Sequence, residues 1–203
     1  MPGLVWVAVA YLLGSIPSAL LAGRWLRRID LREFGSGNLG ATNVYRVLGA
    51  RAALGVLAVD VAKGAIPVLL LPRWTIGPTA AIWPIAYGVA AIIGHIRPVY
   101  LGGKGGGKGV ATATGAFVAL APMPMLLAVA VWLSVLALTR YVSLASVSAS
   151  FALPAAVAIW NGVHTPLLPG SIAVGAFVIW THRANMERLR RRTEPRLGAP
   201  RSP

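Results

Sequence analysis

The sequence contains no cysteine, so disulfides, thiolate metal sites and cysteine nucleophiles are excluded from the outset. Acidic residues are almost as scarce, with 5 Asp and Glu against 19 Lys and Arg. The three histidines, His95, His164 and His182, are too scattered along the chain to suggest a local metal motif. Charge of either sign is thin, at 12% of the 203 residues, against roughly 25% in an average soluble protein. Hydrophobic residues stand in its place, at 57% of the chain, and the mean hydropathy is +0.71. This composition excludes a disordered chain, a nucleic-acid-binding domain and an ordinary soluble globule, which would lack the polar surface to cover its apolar excess. A lipid bilayer removes the problem by acting as the solvent.

The apolar residues fall into runs: Leu4 to Ala22, Ala52 to Leu71, about Ile82 to Ile96, Val110 to Leu138, Val142 to Trp160 and Leu167 to Thr181. Most are near the ~17–25 residues of a membrane-crossing helix, the third and last with help from their flanks. No Lys or Arg precedes the first run, so it lacks the charged start of a signal peptide and reads as a retained helix. The fourth run is too long for one straight crossing. Its helix would measure roughly 43 Å at ~1.5 Å per residue, against a hydrocarbon core of ~30 Å. With Pro122 and Pro124 near its middle, it is either one kinked span or two short helices meeting at 121–124.

Loop charges decide between these. With the N-terminus outside and the long run counted as two segments, every Lys and Arg except Arg51, Lys63 and Arg73 falls in a cytoplasmic loop or in the tail after His182. A single span would put that basic tail outside. The positive-inside rule therefore favours an odd number of crossings, and a re-entrant hairpin over 110–138 gives the same parity. The expected fold class is all-α: a polytopic membrane helical bundle of seven segments in one domain over 1–203. Its fourth segment is short and either crosses or re-enters, the N-terminus lies outside and the C-terminus is cytoplasmic. Most of the positive excess is then topological, and the remainder is available to an anionic substrate.

This topology gathers polar clusters on the cytoplasmic face. The first runs from Asp30 to Arg46 and contains Gly35-Ser36-Gly37-Asn38. Thr42, Asn43 and Arg46 follow on an expected helix, with Asn43 and Arg46 one turn apart. A hydroxyl, an amide and a guanidinium beside a glycine loop suit an oxyanion or phosphate. The second runs from Gly94-His95 through Gly102-Gly103-Lys104-Gly105-Gly106-Gly107-Lys108-Gly109 to Thr112. Glycines let several backbone N–H groups point at one anion, and a helix expected from Val110 offers its N-terminal amides. It is not a Walker A loop, because Gly109 stands where Ser or Thr belongs and no strand pattern precedes it. The third comprises His182, Asn185 and Arg188 at helical spacing, running on to Glu194. Asp60 and Lys63 sit inside an apolar run, and an intramembrane charge pair is costly unless it is paired or functional. Mutual pairing with a structural role is expected.

Together these stretches resemble the integral-membrane acyl-phosphate:glycerol-3-phosphate acyltransferases of bacteria, over nearly the whole chain. The resemblance begins at Tyr11-Leu12-Leu13-Gly14-Ser15-Ile16-Pro17-Ser18 and continues through Gly35 to Asn43 and Arg46, then Asp60-Val61-Ala62-Lys63-Gly64 and Gly94-His95. It is completed by Lys108 to Thr112, and by His182, Asn185, Arg188 and Glu194. It implies transfer of an acyl group from acyl phosphate to the 1-hydroxyl of glycerol 3-phosphate, giving lysophosphatidic acid and phosphate. Partners are then those two substrates and membrane lipid, with no nucleic acid, no cofactor and no metal. The place is the bacterial cytoplasmic membrane, with the active site facing the cytoplasm. Carried over, His182, Asn185 and Ser36 are catalytic. Asn38, Thr42, Asn43, Arg46, Lys104, Gly106, Gly107, Lys108, Gly109, Thr112, Arg188 and Glu194 bind substrate, and Asp60, Lys63 and His95 support the site. The family's glycine loop usually has a bulky residue before Lys-Gly-Gly-Lys-Gly. Here Gly103 replaces that residue, and an extra glycine separates Lys104 from Lys108.

The chemistry suits the residues. Two phosphate-bearing substrates call for cations and amides and few carboxylates. An acyl phosphate already carries a good leaving group, so no covalent intermediate is required. No His has an Asp five residues on, so the dyad of acyltransferases that use acyl-CoA is absent. A rival expectation is a small transporter for a phosphorylated or other anionic metabolite, with the Val110–Leu138 stretch as a broken helix. A transporter wants polar residues near the midplane, however, where only Asp60 and Lys63 lie.

Overall fold

Pro17 decides the first feature of the fold. The first apolar run, expected as one helix, is two in the computed structural model, which describes residues 3–75 and 82–199. Helix α1 covers Gly3–Gly14 and α2 covers Ser18–Arg27. A proline inside a helix has no N–H to donate and crowds the preceding turn. Backbone groups freed at membrane depth need other partners, and here one comes from α4, as described below.

The remaining helices are α3 (Ala41–Leu48), α4 (Ala50–Leu70), α5 (Trp83–Ile96), α6 (Val110–Leu120), α7 (Pro122–Thr139), α8 (Val142–Asn161), α9 (Leu167–Thr181) and α10 (Arg183–Arg190). Among the described residues there is no strand. The long run resolves into α6 and α7, with Ala121 outside helical geometry and Pro122 at the first helical position, where its missing N–H costs nothing. The expected outer loop 73–81 lies mostly outside the described residues, as does the last part of the tail.

The protein is a multi-pass membrane protein, and exposure follows lipid rather than water. Leu138, Ile159 and Leu126 are 85%, 78% and 61% exposed on α7 and α8. The stretches Gly3–Arg27, Ala50–Trp74, Pro122–Thr139 and Val142–Asn161 are each long and apolar enough to cross a membrane. Helix α4, at 21 residues, measures about 32 Å, close to the ~30 Å hydrocarbon thickness. Helix α6, at 11 residues, reaches only about 16 Å.

The chain divides into two compact units, Met1–Leu120 and Ala121–Pro203. In the first, close helix contacts are made by glycine. Gly64 of α4 lies against the Thr112 carbonyl of α6, and Gly115 of α6 against the Val61 carbonyl of α4. Gly14 and Gly94 join α1 to α5 in the same reciprocal way, against the carbonyls of Ala91 and Tyr11. Between apolar helices in lipid, backbone proximity and van der Waals contact replace the hydrophobic driving force, and small residues permit both. A core of Ala19, Leu20, Leu31, Leu39, Val44, Ala53 and Val56 packs beneath the polar loop 28–40 and gives it a fixed floor. In the second unit α7 packs on α8 and α8 on α9. Trp132 of α7 donates its indole N–H to the Ser146 hydroxyl of α8 at 3.2 Å.

Candidate active site

In the first unit the polar loop after α2 is shaped by one buried amide. Asn43, 2% exposed on α3, donates its Nδ2 hydrogens to the carbonyls of Leu31 (3.3 Å) and Phe34 (3.1 Å), and its Oδ1 accepts from the Ser36 N–H at 2.8 Å. Both donors are taken up, so in this conformation Asn43 builds the loop rather than reaching outward. Gly35 and Gly37 hold the left-handed φ values of 63° and 69° that the bend demands. The Ser36 side chain is left exposed at the tip. Upstream, the Arg32 guanidinium grips Asp30 as a fork and holds its carboxyl down at about 2. Thr42 and Arg46, on the same helix α3, are half-buried, and Arg46 has interactions of its own.

The second glycine loop folds back onto the end of α5. The Gly107 N–H donates to the His95 carbonyl at 3.2 Å, and the Gly103 N–H to the Pro98 carbonyl at 2.9 Å. Gly102, Gly103, Gly105 and Gly109 all take positive φ. Asn38 Nδ2 lies 3.4 Å from the Gly106 carbonyl, so the first loop touches the second. Lys104 is exposed, while Lys108 is half-buried with interactions of its own. Thr112, in the first turn of α6, is fully buried, and its Oγ1 has no hydrogen-bond partner among the described residues.

Beneath these loops lies the intramembrane pair. Lys63 Nζ is 2.8 Å from Asp60 Oδ1, with both side chains almost fully buried. Lys63 also donates to the Ile16 carbonyl at 3.0 Å, in the break between α1 and α2, and Ser18, at the start of α2, donates to Asp60 Oδ1 at 2.6 Å. The pair thus satisfies the backbone that Pro17 interrupts, and charges that would be prohibitive alone are compensated by each other. His95 Nδ1 stands 3.7 Å from the same carboxylate oxygen.

In the second unit a buried carboxylate organises the third cluster. Glu194 accepts from Ser143 Oγ (2.8 Å), Asn185 Nδ2 (2.7 Å) and Arg188 Nε (2.7 Å). Burial raises its pKa, but the bonds from Asn185, Ser143 and Arg188 together outweigh it and hold the carboxyl below its ordinary range. Ser143 escaped sequence reasoning; only a serine one residue into an apolar helix marked it. His182 is the joint between α9 and α10 and is 4% exposed. Its Nδ1 lies 2.8 Å from the Val178 carbonyl. A carbonyl can only accept, so Nδ1 carries a proton.

Each unit therefore presents a buried polar hub: Asn43 in the first and Glu194 in the second. A family profile described as glycerol-3-phosphate acyltransferase matches residues 4–192. The chain belongs to the glycerol-3-phosphate acyltransferase family. The glycerol-3-phosphate acyltransferase of Synechococcus sp. (strain CC9902) is 44% identical over 198 residues, covering 98% of this chain and 96% of that one. That of Geobacter sulfurreducens is 44% identical over 197 residues, covering 97% and 98%. Among solved structures, the chain is similar to PlsY (YgiH), an integral membrane glycerol 3-phosphate acyltransferase, in its glycerol 3-phosphate form. The TM-score is 0.88 at 39% identity, over 97% of this chain and 96% of that one. The lysophosphatidic acid form of PlsY matches with a TM-score of 0.85 at 38% identity, over 97% and 95%.

Proposed function

We propose that this protein transfers an acyl group from acyl phosphate to the 1-hydroxyl of glycerol 3-phosphate. The hydroxyl oxygen attacks the acyl carbon, the bond from that carbon to the phosphate oxygen breaks, and inorganic phosphate leaves as lysophosphatidic acid forms. The hydroxyl proton passes to a phosphate oxygen, with His182 Nε2 as the alternative acceptor. Catalysis is by positioning and charge neutralisation: Arg46, Lys104, Lys108 and the glycine-loop amides hold phosphate oxygens, with Ser36 and Asn185 donating neutral hydrogen bonds. The chain acts as one domain of seven membrane segments, with α6 the short fourth, in the bacterial cytoplasmic membrane. The N-terminus lies outside, and the site faces the cytoplasm.

The observation that carries this reading is the similarity, at a TM-score of 0.88, to an acyltransferase solved in its glycerol 3-phosphate form. The test is turnover by the purified protein with labelled glycerol 3-phosphate. Acyl phosphate should support the reaction and acyl-CoA should not. Comparable rates with acyl-CoA would remove the donor assignment, and no transfer from either would remove the activity.

A further inference from the structure

His95 is buried at the end of α5, at 6% exposure, and touches two systems at once. On one side its Nδ1 faces Asp60 Oδ1 at 3.7 Å, longer than a hydrogen bond but within reach of a charge–dipole attraction. That oxygen is already held by Lys63 and Ser18, so it does not move to meet the ring. On the other side lies Gly107. A Cβ at that position would collide with the ring at Nε2 and would also meet the Leu39 carbonyl at 3.0 Å. A Cβ on the neighbouring Gly106 would collide with the His95 carbonyl, the group to which the Gly107 N–H donates at 3.2 Å. Gly106 and Gly107 have no positive φ. Glycine is needed at these positions for closeness rather than for backbone freedom.

We propose that His95 is a positioning residue: its buried ring, facing the Asp60 carboxylate on one side, is the template on which Gly106 and Gly107 fold. It thereby sets where the flanking Lys104 and Lys108 stand relative to a substrate phosphate. This rests on the acyl-transfer reading for its kinetic consequence, though not for its structural one.

A double-mutant cycle tests it. Wild type, His95→Ala, Gly107→Ala and the double variant are purified full-length in detergent. Initial rates are measured while glycerol 3-phosphate and acyl phosphate are varied in turn, and hydrogen exchange is followed over 102–109. Gly107→Ala alone should raise KM for a phosphate substrate at least ~10-fold, with a smaller change in kcat, and should speed exchange at the Gly107 amide. In the His95→Ala background the same substitution should cost less than about threefold in KM, because the ring it strikes is gone and only the Leu39 carbonyl remains tight. Equal costs in both backgrounds would overturn the proposal. If Gly107→Ala does not fold, recovery of folded protein in the double variant supports the proposal, and its failure to recover overturns it. Exchange is read without turnover, so absence of acyl transfer in the wild type would sink the proposed activity while leaving the loop measurement decisive.

Discussion

Asn43 and Glu194 perform the same service in different units: each is a buried polar side chain on which several groups converge. Removing such a hub leaves its partners buried and unsatisfied. Glu194→Ala should destabilise the protein by about 2 kcal/mol or more, because Asn185 and Ser143 lose their acceptor and Arg188 its counter-ion. Thermal unfolding in detergent measures it. The same residue has a pH signature. Its carboxyl is held below the ordinary value of 4.5, so the unfolded chain takes up the proton first. Its stabilisation is complete above that value and is lost as pH falls through the lower native one. The Tm of wild type should therefore fall more steeply on acidification below 4.5 than that of Glu194→Gln, and parallel curves would contradict the assignment.

Arg46 offers a planar guanidinium that a point charge does not reproduce. Arg46→Lys keeps the charge but removes the planar fork. Activity should fall tenfold or more, corresponding to ~1.4 kcal/mol of lost transition-state stabilisation. Steady-state kinetics decide it, and near-normal rates would show that an ammonium suffices. In the same assay Lys108→Ala should be worse than Lys104→Ala, since Lys108 is half-buried beside the N-terminus of α6 and Lys104 is exposed. The reverse order would mean that the extra glycine has moved the functional lysine.

At the scale of the element, α4 presents two glycines with opposite prospects. Gly64 abuts the α6 backbone, while nothing lies within 4 Å of a Cβ built on Gly55. Gly64→Val should force α4 and α6 apart at a cost of about 3 kcal/mol, within the range of severe overpacking. Gly55→Ala should be neutral or stabilise by up to ~1 kcal/mol through lower backbone entropy in the unfolded chain. Unfolding of the two variants side by side is the measurement. A small effect at Gly64 would mean that the α4–α6 contact yields more readily than a reciprocal glycine pair implies.

At the scale of the whole molecule, orientation rests on where the cations lie. A cysteine-free chain is ready for site-directed labelling. A single cysteine at Val163, 64% exposed in the loop without Lys or Arg, should react with an impermeant thiol reagent added to intact cells. One at Arg190 should react only after the membrane is opened. The opposite pattern would invert the topology and place the polar loops outside. A cysteine at Ser202 offers the same test from the end of the tail, beyond the described residues.

Much of this was legible in one dimension, because the bilayer imposes simple rules. Apolar runs reported helices to within a few residues, and α5, α8 and α9 lie almost where hydropathy puts them. Basic loops required the long run to divide, and it divides at Ala121. The Asp60–Lys63 spacing announced a pair. Sequence alone did not reveal that Pro17 splits the first run, since a proline in an apolar stretch either kinks or breaks a helix according to what receives the freed carbonyl. Here Lys63 receives it, from 47 positions away. Nor did it separate hubs from ligands. Asn43 and Glu194 match a functional motif, and only the tertiary structure turns them inward, onto loop carbonyls in one case and onto Ser143, Asn185 and Arg188 in the other. Hydropathy and charge are properties of single residues averaged over a helix, and the membrane reads them directly. Hydrogen-bond partnership belongs to pairs distant in sequence, so packing alone determined which polar groups meet.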